Sequence, residues 1–121
     1  MANAATHRAR GASWEKAVGI YLGGFRKRLQ GWRDTGDIGG LDAIIVECKA
    51  PGPTGRYEFQ QWVLQLQREV DRDPECVLGL LAAKRQGKTA AEDGYWMIDP
   101  RHLHFVIEAV QHAAVCEEYA A

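Results

Sequence analysis

Residues 41–49, LDAIIVECK, constrain the fold of this chain more than any other stretch of the sequence. Their centre is apolar and β-branched, which is typical of a buried strand. The segments on either side, RDTGDIGG at 33–40 and APGPTGR at 50–56, are rich in Gly, Asp and Pro and therefore indicate turns. The sequence thus predicts a central strand that is bounded by turns on both sides.

Helices and strands are predicted to follow one another around this strand. Apolar residues from Trp14 to Leu22 recur with helical spacing behind Ser13, a favourable N-cap. The remaining predicted elements are a short strand over 25–32, a helix over 59–70, a buried strand over 76–83, a short strand over 95–98 and a helix from Asp99-Pro100 onward. The order α-β-β-α-β-β-α predicts an α/β fold, with a mixed β-sheet flanked by helices.

Length and composition indicate one globular domain that stays inside the cell that makes it. The chain has 121 residues, of which 46% are hydrophobic and 26% charged. Residues 1–11 carry no apolar period, so we expect a flexible tail before a single domain over 12–121. Three cysteines without a C-x-x-C pair argue against a disulfide framework. Residues 1–10 contain no apolar run of the length of a signal peptide core, and no stretch approaches a membrane span, so we expect a cytoplasmic protein without membrane contact.

The end of the predicted strand carries the residues that point to chemistry. Glu47 and Lys49 lie two positions apart, so their side chains share one face of the strand, about 6.6 Å apart. Cys48 points to the other face, and its backbone carbonyl lies near the same edge. Asp37 enters from the Gly-rich turn before the strand. Two carboxylates and a carbonyl form a site of hard oxygen atoms that suits Mg²⁺, with Mn²⁺ as a substitute.

Such a site is suited to phosphodiester hydrolysis. A bound metal lowers the pKa of its water and neutralises the charge that builds on the phosphate. Lys49 adds a positive charge beside the attacking water or the phosphate oxygens. The net charge of −1 gives no general support for nucleic-acid binding, so local clusters of basic residues have to supply the contacts.

An aspartate followed by a strand that ends in E-x-K resembles the signature of the PD-(D/E)XK nuclease superfamily. The ordered segments RLQGWRDTGDIGG, the E-C-K strand, a Trp-bearing helix, AAKRQGK and YWMI are similar to small phage Holliday-junction resolvases of that superfamily. The resemblance runs from about Trp14 to Phe105. It implies a restriction-endonuclease-like fold and a Mg²⁺-dependent endonuclease that acts as a homodimer on branched DNA. In a phage-encoded protein the compartment would be the host cytoplasm.

The resemblance also implies one more metal ligand. In addition, two aspartates are candidates for the aspartate of the signature. In related archaeal resolvases a glutamate on the first helix joins the metal site, and Glu15 stands at that position. The superfamily expects a proline before its aspartate, where this chain has Gly36. Asp42 competes with Asp37 because it is close to Glu47 in sequence, but we expect Asp42 to lie on the strand itself and prefer Asp37.

Two basic clusters are candidates for DNA phosphate contacts, although a solvated surface is the usual interpretation of such runs. They comprise Arg26, Lys27, Arg28 and Arg33 before the turn, and Lys84, Arg85 and Lys88 in the loop after the buried strand. Gln61 and Gln65 share a polar face of the second predicted helix, where we expect solvent exposure in preference to DNA contact.

Three other interpretations remain open at this point. A nicking or restriction-type enzyme of the same superfamily would carry the same residues. A catalytically inactive DNA-binding module would keep the fold, although an intact D…E-x-K pattern argues against it. A structural or partner-binding α/β domain would bind no metal at all.

Overall fold

A computed structural model of the chain describes residues 4–26 and 36–120. The described residues form a mixed α/β fold, as the sequence predicted. The helices are α1 (Ala4–Leu22), α2 (Phe59–Asp71) and α3 (Leu103–Ala120), and the strands are β1 (Phe25–Arg26), β2 (Ile38–Gly39), β3 (Ile44–Lys49), β4 (Leu78–Ala83) and β5 (Tyr95–Ile98). The predicted order lacks β2, because the Gly-rich segment that contains it was interpreted as a turn throughout.

Strands β3, β4 and β5 form one sheet in that order, and β1 and β2 form a separate two-stranded ribbon. β3 runs parallel to β4, with α2 as the connection between them, and β5 is antiparallel to β4. The prediction that β3 is central is therefore wrong, since β4 occupies the central position. β3 is nevertheless buried over most of its length, because helices cover both of its faces.

Each face of the sheet packs against a different helix. On the α1 side, Trp14 and Val18 pack against Val46 and Cys48 of β3. On the α2 side, Leu66 packs in a cluster with Ile45 and Leu81. Because side chains alternate along a strand, Glu47 and Lys49 share the face of Ile45 and point toward α2. Cys48 points to the opposite face, as the sequence predicted.

Two boundaries differ from the sequence prediction for local reasons. Helix α1 begins at Ala4, so Ser13 lies inside it and residues 4–11, expected to form a tail, are helical. This segment is rich in Ala and Arg, whose helix propensity is high even without an apolar period. Strand β3 begins only at Ile44, because Ala43 has a left-handed φ of 61°. Asp42, expected on the strand, lies in an exposed turn.

Helix α3 packs mainly against the turn Pro100–His102 that precedes it. It leaves a run of large apolar side chains exposed, namely Leu103, Phe105, Ile107, Val110 and Val115. None of the helices within the described ranges combines the length and the apolar character needed to cross a membrane.

The predicted helix start at Asp99-Pro100 is confirmed as a capped turn. The Asp99 side chain is completely buried and accepts a hydrogen bond from the Arg101 backbone N–H at 3.0 Å. It also accepts from Gln67 of α2 and pairs with the Arg101 guanidinium at 2.9 Å. Burial raises the pKa of Asp99, but the hydrogen bonds from Arg101 and Gln67 and the charge of Arg101 together lower it below its ordinary value. This carboxylate therefore ties the start of α3 to α2.

We expect Asp99→Ala to lower the free energy of unfolding by about 2 kcal/mol, measured by urea denaturation. Loss of the cap contributes roughly 1 kcal/mol, and the Gln67 amide left without its acceptor adds about as much. The matched control is Asp93→Ala, an exposed carboxylate whose loss should cost less than about 0.5 kcal/mol. Equal stability of the two variants would contradict this role for Asp99.

Candidate active site

Asp37 binds the outer edge of β3 through both its backbone and its side chain. Its backbone N–H donates to the carbonyl of Val46 at 2.8 Å, and its Oδ2 accepts from the backbone N–H of Cys48 at 2.7 Å. The N–H and carbonyl of one strand residue point to the same side, so the Cys48 carbonyl also faces this edge. Asp37 therefore lies at the same end of β3 as Glu47 and the Cys48 carbonyl. Asp42 lies at the other end.

Gly36 explains why this chain departs from the proline that the resemblance leads us to expect. Its φ is 81°, whereas the proline ring fixes φ near −65°. An added Cβ would also lie 2.9 Å from a methyl group of Ile45 and 3.0 Å from the carbonyl of Val46. Glycine is thus required here to bring Asp37 against the strand.

Glu47 and Lys49 are held by a side chain of α2 that the sequence analysis assigned to solvent. The Lys49 ammonium donates to Gln65 Oε1 at 2.6 Å and lies 3.4 Å from Glu47 Oε1. The Gln65 amide donates to the same Glu47 oxygen at 3.0 Å. The expectation of solvent exposure is therefore wrong for Gln65, whereas Gln61 is exposed.

A third carboxylate, Glu69, also reaches the site and was missed by the sequence analysis. It lies one helical turn beyond Gln65 on α2, and its carboxyl contacts that of Glu47. A signal for both was present, because Gln65 and Glu69 each precede a core residue of α2, Leu66 and Val70. Polar residues four positions apart lie on the same side of a helix. Where they border its apolar stripe, they face the surface on which the helix packs.

Burial makes these carboxyl groups reluctant to ionise. Burial, and next the charge of Glu47, raises the pKa of Asp37 to about 7, although the Cys48 N–H opposes this. Burial, and next the neighbouring Glu69 carboxyl, raises the pKa of Glu47 to about 8. Burial likewise raises the pKa of Glu69 and of the Cys48 thiol. Such perturbed carboxyl groups are typical of functional sites.

Glu15 lies beside this cluster on α1 and is paired with a predicted DNA contact. The Arg26 Nε donates to the Glu15 carboxylate at 2.7 Å, and the Glu15 charge contributes to the raised pKa of Asp37. Arg26 also borders an open cleft of about 300 Å³ together with Ser13 and Lys16. The other predicted basic residues of this cluster, Lys27, Arg28 and Arg33, lie outside the described residues.

The loop after β4 is fastened to the end of β3. The Lys84 N–H donates to the Lys49 carbonyl at 2.8 Å, and the Tyr57 hydroxyl donates to the Lys84 carbonyl at 2.6 Å. Gln86 then donates through its backbone N–H to Tyr57 and through its amide to carbonyls in the loop 52–55. Lys84 therefore lies next to Lys49, and Gln86 joins the loop to residues 52–57.

The charges of this loop face outward. Arg85 and Lys88 are exposed, and the Arg85 guanidinium lies 5.6 Å from the centre of the Tyr95 ring. The Lys84 ammonium donates to the carbonyl of Arg85 at 3.3 Å. The Arg85 guanidinium is therefore exposed and lies over an aromatic ring.

The oxygen atoms of the site suit a hard divalent cation, although they are not arranged around one. As they stand, no three His, Cys, Asp or Glu side chains in the described ranges are grouped so as to hold a metal ion. Yet Glu47, which is only 4% exposed, has a buried Oε2 that receives no hydrogen bond. Oε2 of the neighbouring Glu69 is also buried and receives no hydrogen bond. Cation binding here would require these side chains to rotate.

Comparison with known proteins adds no relative. No protein-family model matches the chain, and no curated protein or solved structure matches it.

In buffer with a chelator, we expect the free energy of unfolding to fall between about pH 4 and pH 8. The ordinary pKa values are 3.8 for Asp37 and 4.5 for Glu47, and in the folded chain they are about 7 and about 8. In this window the folded chain holds protons that the unfolded chain has released, so stability decreases as pH rises. Guanidinium denaturation at pH 5, 6, 7 and 8 measures the trend.

Glu47→Gln should weaken this pH dependence, because one of the two groups no longer ionises, whereas the exposed control Glu92→Gln should leave it unchanged. A wild-type chain whose stability is constant or increases over this range would contradict the assigned pKa values.

Proposed function

We propose that this chain is a Mg²⁺-dependent endodeoxyribonuclease that resolves Holliday junctions or other branched DNA by phosphodiester hydrolysis. The observation that carries the proposal is the meeting of Asp37, Glu47 and Lys49 at one end of β3. These three residues are the D…E-x-K pattern that resembles the PD-(D/E)XK superfamily. The proposal includes a restriction-endonuclease-like fold, which the βαβ unit β3-α2-β4 and the flanking helices support.

Asp37, Glu47 and the Cys48 carbonyl would hold the metal ion, with Glu15 as a further ligand from α1. When bound, Mg²⁺ supplies an activated water and neutralises charge on the scissile phosphate. The Cys48 N–H orients the Asp37 carboxylate by its hydrogen bond to Oδ2. Glu15 is at present paired through its Oε2 with the Arg26 guanidinium.

Lys49 is placed to stabilise negative charge on the phosphate. Its ammonium is partly exposed, with 22% of the side chain open to solvent, so a substrate can reach it. Gln65 accepts one of its hydrogen bonds, which limits the rotation of the long side chain. A cation fixed in this way acts without reorganisation when charge develops.

The exposed basic residues next to this site are proposed to bind the DNA backbone. Arg85 and Lys88 lie on the loop that follows β4, and Lys84 is the first residue of that loop. Arg26 lies on the α1 side of the site, where Lys16 borders the same cleft. DNA phosphates that pass over the end of β3 would meet cations from both sides.

A homodimer is proposed because a four-way junction has two-fold symmetry and two strands to cut. A symmetric pair of chains presents two equivalent sites to those strands. The exposed apolar residues of α3, such as Ile107 and Val110, supply a surface that a second copy of the chain could bury.

We expect Asp37→Asn and Glu47→Gln each to reduce cleavage of a four-way junction in Mg²⁺ by more than about 100-fold. Mutation of a residue that only supports a metal ligand typically lowers activity about 10- to 100-fold. We expect a larger loss here, because the substitution removes the charge of a proposed ligand itself. Asp42→Asn, an exposed turn residue, is the matched control and should cleave like the wild type. Rates are measured on labelled junctions in single turnover.

The same assay compares the proposal with its alternatives. Equal cleavage of a linear duplex and a junction would favour a nicking or restriction-type enzyme. Junction binding without cleavage in either Mg²⁺ or Mn²⁺ would identify an inactive DNA-binding module. Full cleavage activity of Glu47→Gln would contradict the proposed active site.

We expect the affinity for a junction to fall with salt at a slope of log K against log[salt] near −5, as for roughly six neutralised phosphates. Replacing Lys84 and Arg85 with Ala should make this slope less negative by about two. The measurement is a salt titration in Ca²⁺, which should occupy the site without supporting cleavage. The control Arg8→Ala/Arg68→Ala removes two exposed charges elsewhere and should leave the slope unchanged. Identical slopes in both double variants would exclude the loop from DNA contact.

A further inference from the structure

Two carboxylate oxygens on the α2 side of β3 are buried without any hydrogen-bond donor. They are Oε2 of Glu47 and Oε2 of Glu69, and the two carboxyl groups lie in contact with each other. A hydrogen bond between them exists only when one of the two is protonated. Leaving both ionised and unpaired would be costly, since a buried charge requires a partner.

The basic side chains near this pair do not supply that partner. Lys49 lies 3.4 Å from the other oxygen of Glu47, Oε1, and donates to Gln65. Arg72 lowers the pKa of Glu69 through its charge alone. Within the described part of the chain, no Lys, Arg or His nitrogen forms an ion pair with Glu69.

Gln65 determines which oxygen of Glu47 remains unpaired. Its amide donates to Oε1 at 3.0 Å and so fixes the plane of the carboxylate. Oε2 is then left without a donor, and Glu69 follows Gln65 by four residues on the same side of α2. Two carboxyl groups in contact, one from a strand and one from a helix, thus each keep one oxygen without a donor.

We propose that Glu69 is a metal ligand of this chain, and that it binds a divalent cation together with Glu47 Oε2. The inference rests on the proposed nuclease function and adds to it a cation position on the α2 side of Glu47. Asp37 is held at the outer edge of the same strand by the Cys48 N–H, and the charge of Glu47 acts on it. Carboxylate oxygens are the ligands that Mg²⁺ and Mn²⁺ prefer.

The test is calorimetric titration of Mn²⁺ into the metal-free full chain, without DNA. Glu69→Gln should weaken Mn²⁺ binding by at least about 10-fold. The variant should remain folded, because the new amide can donate to Glu47 Oε2. Glu58→Gln, an exposed residue just before α2, is the matched control and should bind Mn²⁺ like the wild type. The rise in melting temperature on adding Mn²⁺ gives a second readout and should shrink only in Glu69→Gln.

Each outcome separates this inference from the proposed function. Unchanged Mn²⁺ affinity in Glu69→Gln, with higher stability of the metal-free variant, would mean that the two carboxyls share only a proton, and the inference fails. If the wild type still cleaves junctions in that case, the nuclease proposal stands. A chain that binds Mn²⁺ through Glu69 but cuts no DNA would keep the inference and end the nuclease proposal. A wild type that binds no Mn²⁺ overturns both.

Discussion

The candidate site depends on the pairing of Asp37 with the outer edge of β3. That edge would otherwise expose the backbone groups of an apolar strand, which is a hazard for aggregation. Asp37 covers it with one backbone and one side-chain hydrogen bond, to Val46 and Cys48. The same two bonds bring a carboxylate to the end of the strand where Glu47 and Lys49 project. Gly36 makes this possible, because its left-handed φ lets the chain approach the strand closely.

The second constraint is the cost of burying carboxylates, which the fold only partly offsets. Glu47 receives hydrogen bonds or an ion pair at one oxygen, and its other oxygen receives none. Asp99 illustrates the opposite case, since its buried carboxylate is surrounded by donors and its pKa is lowered. Donors around Asp99 tie α3 to α2, whereas Glu47 and Glu69 each keep one buried oxygen without a donor. The buried acids Glu47 and Asp99 thus have opposite environments, and their pKa values shift in opposite directions.

Much of the fold follows from local sequence signals. The β-branched run before Glu47 predicted β3, and strand alternation predicted that Glu47 and Lys49 share a face opposite Cys48. Asp99-Pro100 correctly marked the turn that begins the last helical segment. The predicted start of α1 was wrong because the prediction used the spacing of apolar residues and did not use helix propensity. β2 was missed because a two-residue strand in a Gly-rich segment has no pattern of its own.

The sequence by itself determined which residues lie on one face of β3 and which chemistry their side chains can perform, because both follow from the two-residue repeat of a strand. Only the tertiary structure decided that Asp37 and not Asp42 reaches Glu47, and that Gln65 and Glu69 face the site and not solvent. It also decided that Glu15 pairs with Arg26. These contacts join residues that are distant in sequence, and they depend on how helices pack on the sheet and how a turn folds back on its edge. A local sequence pattern shows the structural repeat of a segment, but it does not show which part of the protein will pack against that segment.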